Sequence, residues 1–247
     1  MWIPRPFSAA LLALAWLAAP AGAAASLTVL SPASAAPGVR ALAALYTAKT
    51  GIAVTLAGGG RDKIFAALKA GSPADVVVLP TNDLVDTPSV TGMTPLGRIA
   101  VGVGVKAGTK VPDISTPEKF RSALLAAKGV AYADPAAGTS AGKVIDQLLS
   151  APEFKGVKRV PVQGLAMTAL ASGQADIALQ MLPELAANKE VAVAGPVPEN
   201  YTAGVDFSAG IAAGTTDALQ AQAFIDFLTD HQNAAVWKAI GLTPFGN

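Results

Sequence analysis

Residues 51–79, GIAVTLAGGGRDKIFAALKAGSPADVVVL, constrain the fold more than any other stretch of this chain. Ile52, Val54 and Leu56 alternate with smaller residues as a strand does, and Gly58, Gly59 and Gly60 then end the strand by letting the backbone turn without a Cβ penalty. From Arg61 the apolar residues Ile64, Phe65 and Leu68 recur at helical spacing, and Gly71 with Ser72-Pro73 stops the helix. The VVVL of residues 76–79 has no polar face, the pattern of a parallel strand covered on both sides. The stretch therefore reads as a βαβ unit. Its glycine loop lies at the carboxyl end of a strand and the N-terminus of a helix, where open α/β sheets place their ligands.

The remaining chain repeats this logic. A strand at 27–30 precedes a helix carrying Val39, Leu42, Leu45 and Tyr46, with Ser34 placed to cap it and Pro37 in its first turn. Residues 87–97 read as a loop punctuated by Pro88, Gly92 and Pro95, and 98–105 as a strand. Further on come a helix at 117–127 and a strand at 129–133. The loop of Asp134, Gly138, Thr139 and Ser140 then leads into a helix at 141–149, with Thr139 or Ser140 as its cap. Short strands at 160–162, 175–181 and 191–194, a helix at 165–171, a long strand at 205–213 and two closing helices complete the pattern. Asp75 and Asp176 open buried strands at the end away from the ligand crevice, so they read as structural caps.

At 52% apolar and 14% charged residues the chain has the composition of a compact fold and not of a disordered one. Residues 1–25 read as a secretory signal: Arg5, an apolar segment at 9–19 too short to span a bilayer, and a small-residue cleavage site at 21–25. The whole chain has 18 basic and 17 acidic side chains, and loss of Arg5 with the leader brings them into balance. Such a chain lacks the clustered cations that nucleic acid or an acidic membrane surface requires. With no cysteine there is no disulfide, thiolate metal site or lipidated cysteine. A soluble periplasmic protein is the expectation.

The Ala33-Ser34 loop, the AGSPADVVVL segment at 70–79, the ADP at 133–135, the SAG at 140–142 and the ASGQADIAL segment at 171–179 follow one another in a telling order. In that order the chain resembles the periplasmic molybdate-binding proteins, within the type II solute-binding proteins of ABC transporters. The resemblance implies an α/β fold of two lobes, each a mainly parallel sheet flanked by helices, joined by two crossing strands at 98–104 and 205–211. Lobe one would comprise 26–98 and 206–247, and lobe two 99–205, with a small anion held between them. It further implies a monomer without cofactor or metal, acting with an ABC permease rather than as an enzyme.

Relatives of that kind hold the anion with hydroxyls and backbone N–H groups. Carried over position by position, the resemblance points to Ser34, Gly60 and Arg61 on lobe one and Ser140, Ala141, Gln163 and Met181 on lobe two. Arg61 stands where the family has a serine and Met181 where it has a tyrosine. A guanidinium fork and the loss of a hydroxyl suggest an anion that is larger or partly organic. A bland reading of Arg61 pairs it with Asp62 or Asp83, and a bland reading of Met181 puts it in the core. The alternatives for function are a ligand-binding module of a sensor or colonisation system and, more distantly, an exported hydrolase built on His231, for which no Gly-x-Ser-x-Gly elbow exists.

Overall fold

The computed structural model describes residues 26–201 and 204–246; the expected leader at 1–25 lies outside them. The first half of the chain runs β1 (Ser26–Pro32), α1 (Ala36–Thr50), β2 (Ala53–Gly59), α2 (Arg61–Lys69), β3 (Val76–Pro80), α3 (Thr81–Val85), β4 (Val90–Ile99), β5 (Val101–Lys106), α4 (Pro117–Ala126) and β6 (Val130–Ala133). It continues with α5 (Ser140–Leu149), β7 (Arg159–Val162), α6 (Thr168–Ala171), β8 (Ile177–Met181), α7 (Leu182–Ala186), β9 (Val191–Pro196), β10 (Val205–Ala212), α8 (Ala218–Thr229), α9 (Ala234–Ala239) and β11 (Leu242–Pro244).

These strands form two sheets, ordered β11-β4-β10-β3-β1-β2 and β7-β6-β8-β5-β9. The fold is therefore α/β with two lobes. β1 pairs in parallel with both β2 and β3, and β6 in parallel with β7 and β8, so the loops after these strands gather at one edge of each sheet. The chain leaves the first sheet after Ile99 and returns to it at Val205. Helix α1 buries Val39, Leu42 and Tyr46, whose ring meets Phe224 and Phe227 edge-on at 5.1 and 5.3 Å. Asp75 and Asp176 are structural as expected. Asp75 accepts from the Thr28 N–H (2.7 Å) and the Thr215 hydroxyl (2.7 Å), and Asp176 from the N–H groups of Lys128 and Gly129.

Four expectations need correction. Residues 90–99 form a strand, not a loop. Its register against β10 shifts twice, and these bulges absorb Pro95 and Gly92. The stretch at 98–105 is not one strand, because the chain changes sheets at Ala100. Helix α6 covers only the end of the predicted 165–171. Ser34 does not cap α1: the N-cap is Ala35, with no side-chain hydrogen bond, and the turn closes through Ala35 N–H to Pro32 C=O at 3.1 Å.

The glycine triplet also behaves differently from a simple turn. Gly58 and Gly59 continue β2 with φ of 151° and 148°, and a Cβ on Gly58 would lie 2.1 Å from the Ser31 carbonyl oxygen. Gly60 has an ordinary φ of −68° and open space where a Cβ would stand. Gly58→Ala should therefore cost about 1–3 kcal/mol, whereas Gly60→Ala should stay within about 0.5 kcal/mol. Denaturant midpoints of the two variants check this, and equal midpoints would refute the close-approach argument.

Candidate functional site

The carboxyl ends of the parallel strands of both sheets border a cavity of about 360 Å³. One wall comes from the first lobe, with Arg61 at the start of α2, Thr81, Asn82 and Asp83 in α3, and the residues that flank α3, Pro80 and Asp86. The facing wall is α5 of the second lobe, contributing Ser140, Lys143, Val144 and Gln147. Gly204, Val205 and Asp206, at the start of β10, complete the lining. Larger hollows of about 700 and 930 Å³ lie against β11 and the C-terminal segment. The first is lined by first-lobe residues alone; the second has residues of both lobes, among them Arg98 and Lys238 beside Asp113 and Glu199, but neither is lined by α2 or α5, the helices that open after β2 and β6.

Helix α5 presents this wall because its apolar residues Ile145, Leu148 and Leu149 are buried on one side, which turns positions 140, 143, 144 and 147 the other way at helical spacing. It is pinned to β6 by Tyr132, whose hydroxyl donates to Asp146 at 2.8 Å. Burial, helped by that carboxylate, pushes the Tyr132 phenol up to about 12. Arg159 adds an ion pair to Asp146 at 3.5 Å and a hydrogen bond to the Leu149 carbonyl. The N-cap is Thr139, whose hydroxyl accepts from the Gly142 N–H at 3.1 Å. Capping thus leaves the Ser140 hydroxyl unused, and the N–H groups of Ser140 and Ala141 precede the first intrahelical bond, Lys143 N–H to Thr139 C=O.

Arg61 is held on three sides. Its Nε donates to Asp83 Oδ1 at 3.1 Å, its Nη1 is 3.4 Å from Asp62, and its guanidinium lies over the Phe65 ring at 4.2 Å. The Asp83 side chain is only 8% exposed, so the arginine is anchored to a fixed carboxylate. Both pairings of the bland reading exist, and Arg61 nonetheless lines the cavity. Asp206 is likewise engaged: Arg98, its register partner across β4 and β10, grips it at 2.5 and 2.9 Å.

The structure thus brings Arg61 and Ser140 to one cavity. Gly60 and Ala141 stand next to them in the chain, Gly60 as the N-cap of α2 and Ala141 packed against the core. Ser34, 5% exposed, lies in the loop after β1 and has no hydrogen-bond partner among the described residues. Gln163 is exposed and donates to Asp134 at 2.8 Å, and Met181 is 3% exposed within the main core. Neither lines the cavity. Sequence reasoning missed Lys143, Gln147, Asp83, Asp86 and Asp206. The spacing of 140, 143 and 147 on a helix already read was a usable signal for the first two; Asp206 had none, because β10 reaches the cavity only through sheet pairing.

Residues 27–243 match the family model of the bacterial extracellular solute-binding proteins. The chain belongs to that family. An aconitate isomerase from a Pseudomonas species is 26% identical over 232 residues, covering 89% of this chain and 88% of that protein. The periplasmic molybdate-binding protein of Azotobacter vinelandii shares the fold at a TM-score of 0.66 and 18% identity, over 90% of this chain and 100% of that one. So does PEB3 of Campylobacter jejuni, solved with L-phospholactate, at 0.66 and 16%, over 88% and 99%. The sulfate-binding protein SubI of Mycobacterium tuberculosis scores 0.65 at 19% identity, over 89% and 87%.

In this family member the loops of the second lobe are braced from behind. The Ala166 N–H donates to Gln180 Oε1 at 2.9 Å, and Gln180 Nε2 donates to Glu184. Burial pushes the Glu184 carboxyl up from its ordinary value, against the opposing pull of the Gln180 bond. The folded state therefore holds this proton to a higher pH than the unfolded chain, and stability falls as pH rises from the ordinary glutamate value of about 4.3 through the raised one. Glu184→Gln removes that loss while keeping an oxygen for Gln180. Thermal melts should show the variant more stable than the parent near about pH 8 and equal to it near about pH 4; a gap of the same size at both would contradict this.

Proposed function

We propose that this chain is an extracytoplasmic binding protein that captures a small anion between its lobes and delivers it to an ABC transporter permease. One observation carries the reading: one cavity is lined by an anchored arginine on one lobe and, on the other, by the first turn of a helix whose cap leaves the Ser140 and Ala141 N–H groups unused. A guanidinium and helix N-terminal N–H groups both favour negative charge. A ligand touching both walls stabilises the closed form, which is what a permease can distinguish from the empty one. On this reading lobe one is 26–98 and 206–247 and lobe two 99–205. Ser34, with its unused hydroxyl, and the N–H groups near Gly60 and Ala141 supply further donors on closure, while Met181 and Gln163 act only by supporting the loops.

A panel of molybdate, tungstate, sulfate, phosphate and small carboxylates in thermal-shift experiments tests this. At about a hundredfold excess over Kd a ligand adds about 2.7 kcal/mol of stability, and Arg61→Ala should diminish the shift. No shift with any anion would sink the reading.

The Pseudomonas relative favours a second reading, an isomerase acting on an unsaturated carboxylate in the same cleft. Such a reaction needs a base to move a proton between carbons. Of the cavity carboxylates, Asp83 and Asp206 are locked to arginines, which leaves Asp86. Conversion of trans-aconitate followed by proton NMR, lost in Asp86→Asn, would support it, and no conversion by the parent protein would remove it.

A further inference from the structure

We infer that the ligand is a small organic polyanion with negative groups at two separated points of its carbon frame, and that Lys143 determines this specificity. The inference rests on the anion-capture reading and deepens it.

The first argument is room. A cavity of about 360 Å³ has the volume of about a dozen liquid waters at ~30 Å³ each. A single four-oxygen ion would occupy a small part of that volume, so the cleft has room for a larger, partly organic anion.

The second is the placement of charge. Arg61 stands on one wall and Lys143 on the other. Arg61 has Nε committed to Asp83 and Nη1 to the exposed Asp62, which leaves Nη2 as the donor without a protein partner, held in a preset direction by the stacked Phe65 ring. Asp206 is neutralised by Arg98. Lys143 has no ion-pair partner among the described residues, although it lies on the same helix face as Ser140. When the lobes close over a ligand, water is expelled and an unpaired ammonium becomes costly. A monoanion seated at Arg61 leaves that cost in place. A ligand whose second carboxylate or phosphate reaches Lys143 and the first turn of α5 removes it, so closure itself selects the two-ended anion.

Asp86 is the opposing charge. It is exposed, lines the first-lobe wall and has no ion-pair partner among the described residues. It can accept from a hydroxyl of a hydroxy acid, and it would equally suit the ammonium of an amino acid. A zwitterion is therefore the competitor that the experiment must separate.

Isothermal titration of the purified chain with citrate, trans-aconitate, succinate, acetate, molybdate, sulfate and glutamate, on the parent, Lys143→Gln and Lys143→Arg, is the test. At least one of citrate, trans-aconitate and succinate should bind the parent. Lys143→Gln should weaken it about tenfold or more, Lys143→Arg should retain most of the affinity, and acetate should bind weakly and equally to all three. Lys143 is exposed, so unchanged melting midpoints are expected of the free variants. Tight molybdate or sulfate binding that is indifferent to Lys143→Gln would overturn the inference and leave anion capture standing. Tight glutamate binding lost in Asp86→Asn would overturn it in favour of a zwitterion. Silence across the panel would overturn both readings together.

Discussion

Strand β10 is the constraint on which the rest depends. It is hydrogen-bonded on both sides, to β3 along residues 207–211 and to β4 along most of its length, so the returning chain is tied into the middle of the first sheet. Buried backbone groups need such partners, and a strand satisfied on both edges has no freedom to slip. Its first residues consequently stand at a set height beside Pro80, and Asp206 arrives at the cavity while still paired with Arg98 in the neighbouring strand. The two strands that link the lobes also carry a bidentate ion pair at the point of linkage. Movement of one lobe relative to the other has to pass through this pair or beside it.

The electrostatics of the site follow from that frame. Its arginine and two of its carboxylates are already engaged with protein groups, so the cavity is not a pool of positive charge. What it offers instead is direction: a held guanidinium on one wall, with first-turn N–H groups and an unused serine hydroxyl on the other. Anchoring Arg61 to a nearly buried Asp83 and over Phe65 reduces the side-chain freedom that a ligand would otherwise have to freeze, while leaving part of the fork available. A fold does not fix its ligand, which makes the side chains on the facing walls, and not the scaffold, the place to look for specificity.

Legibility differed sharply between elements. The βαβ unit at 51–79 was readable because its run of valines has no polar face and its helix is bracketed by glycine and proline. The strand β4 was not, because Gly92, Pro95 and Gly97 are the usual marks of a loop and become strand residues only where bulges against β10 accommodate them. Helices α3 and α7 are five residues each, too short to show a period, yet α3 supplies three of the cavity's lining residues and is flanked by two more, Pro80 and Asp86. Arg61 was visible as a candidate from its loop position, and Ser140 from its place at a helix start. Lys143 was passed over, although it sits three residues on from Ser140 on the same face.

The sequence by itself determined the class of fold, the order of its units, the two loops that open α2 and α5, and membership of a binding-protein family, because these depend on periodicity, turn chemistry and short ordered motifs. Only the tertiary structure decided which side chains meet. Met181 occupies the position that pointed to the ligand and is enclosed in the core, while Asp206 and Lys143, 63 residues apart in the chain, share one cavity. The physical reason is that a local pattern encodes the conformation of a segment, whereas the distance between a strand of one lobe and a helix of the other is set by sheet pairing and packing along the intervening chain.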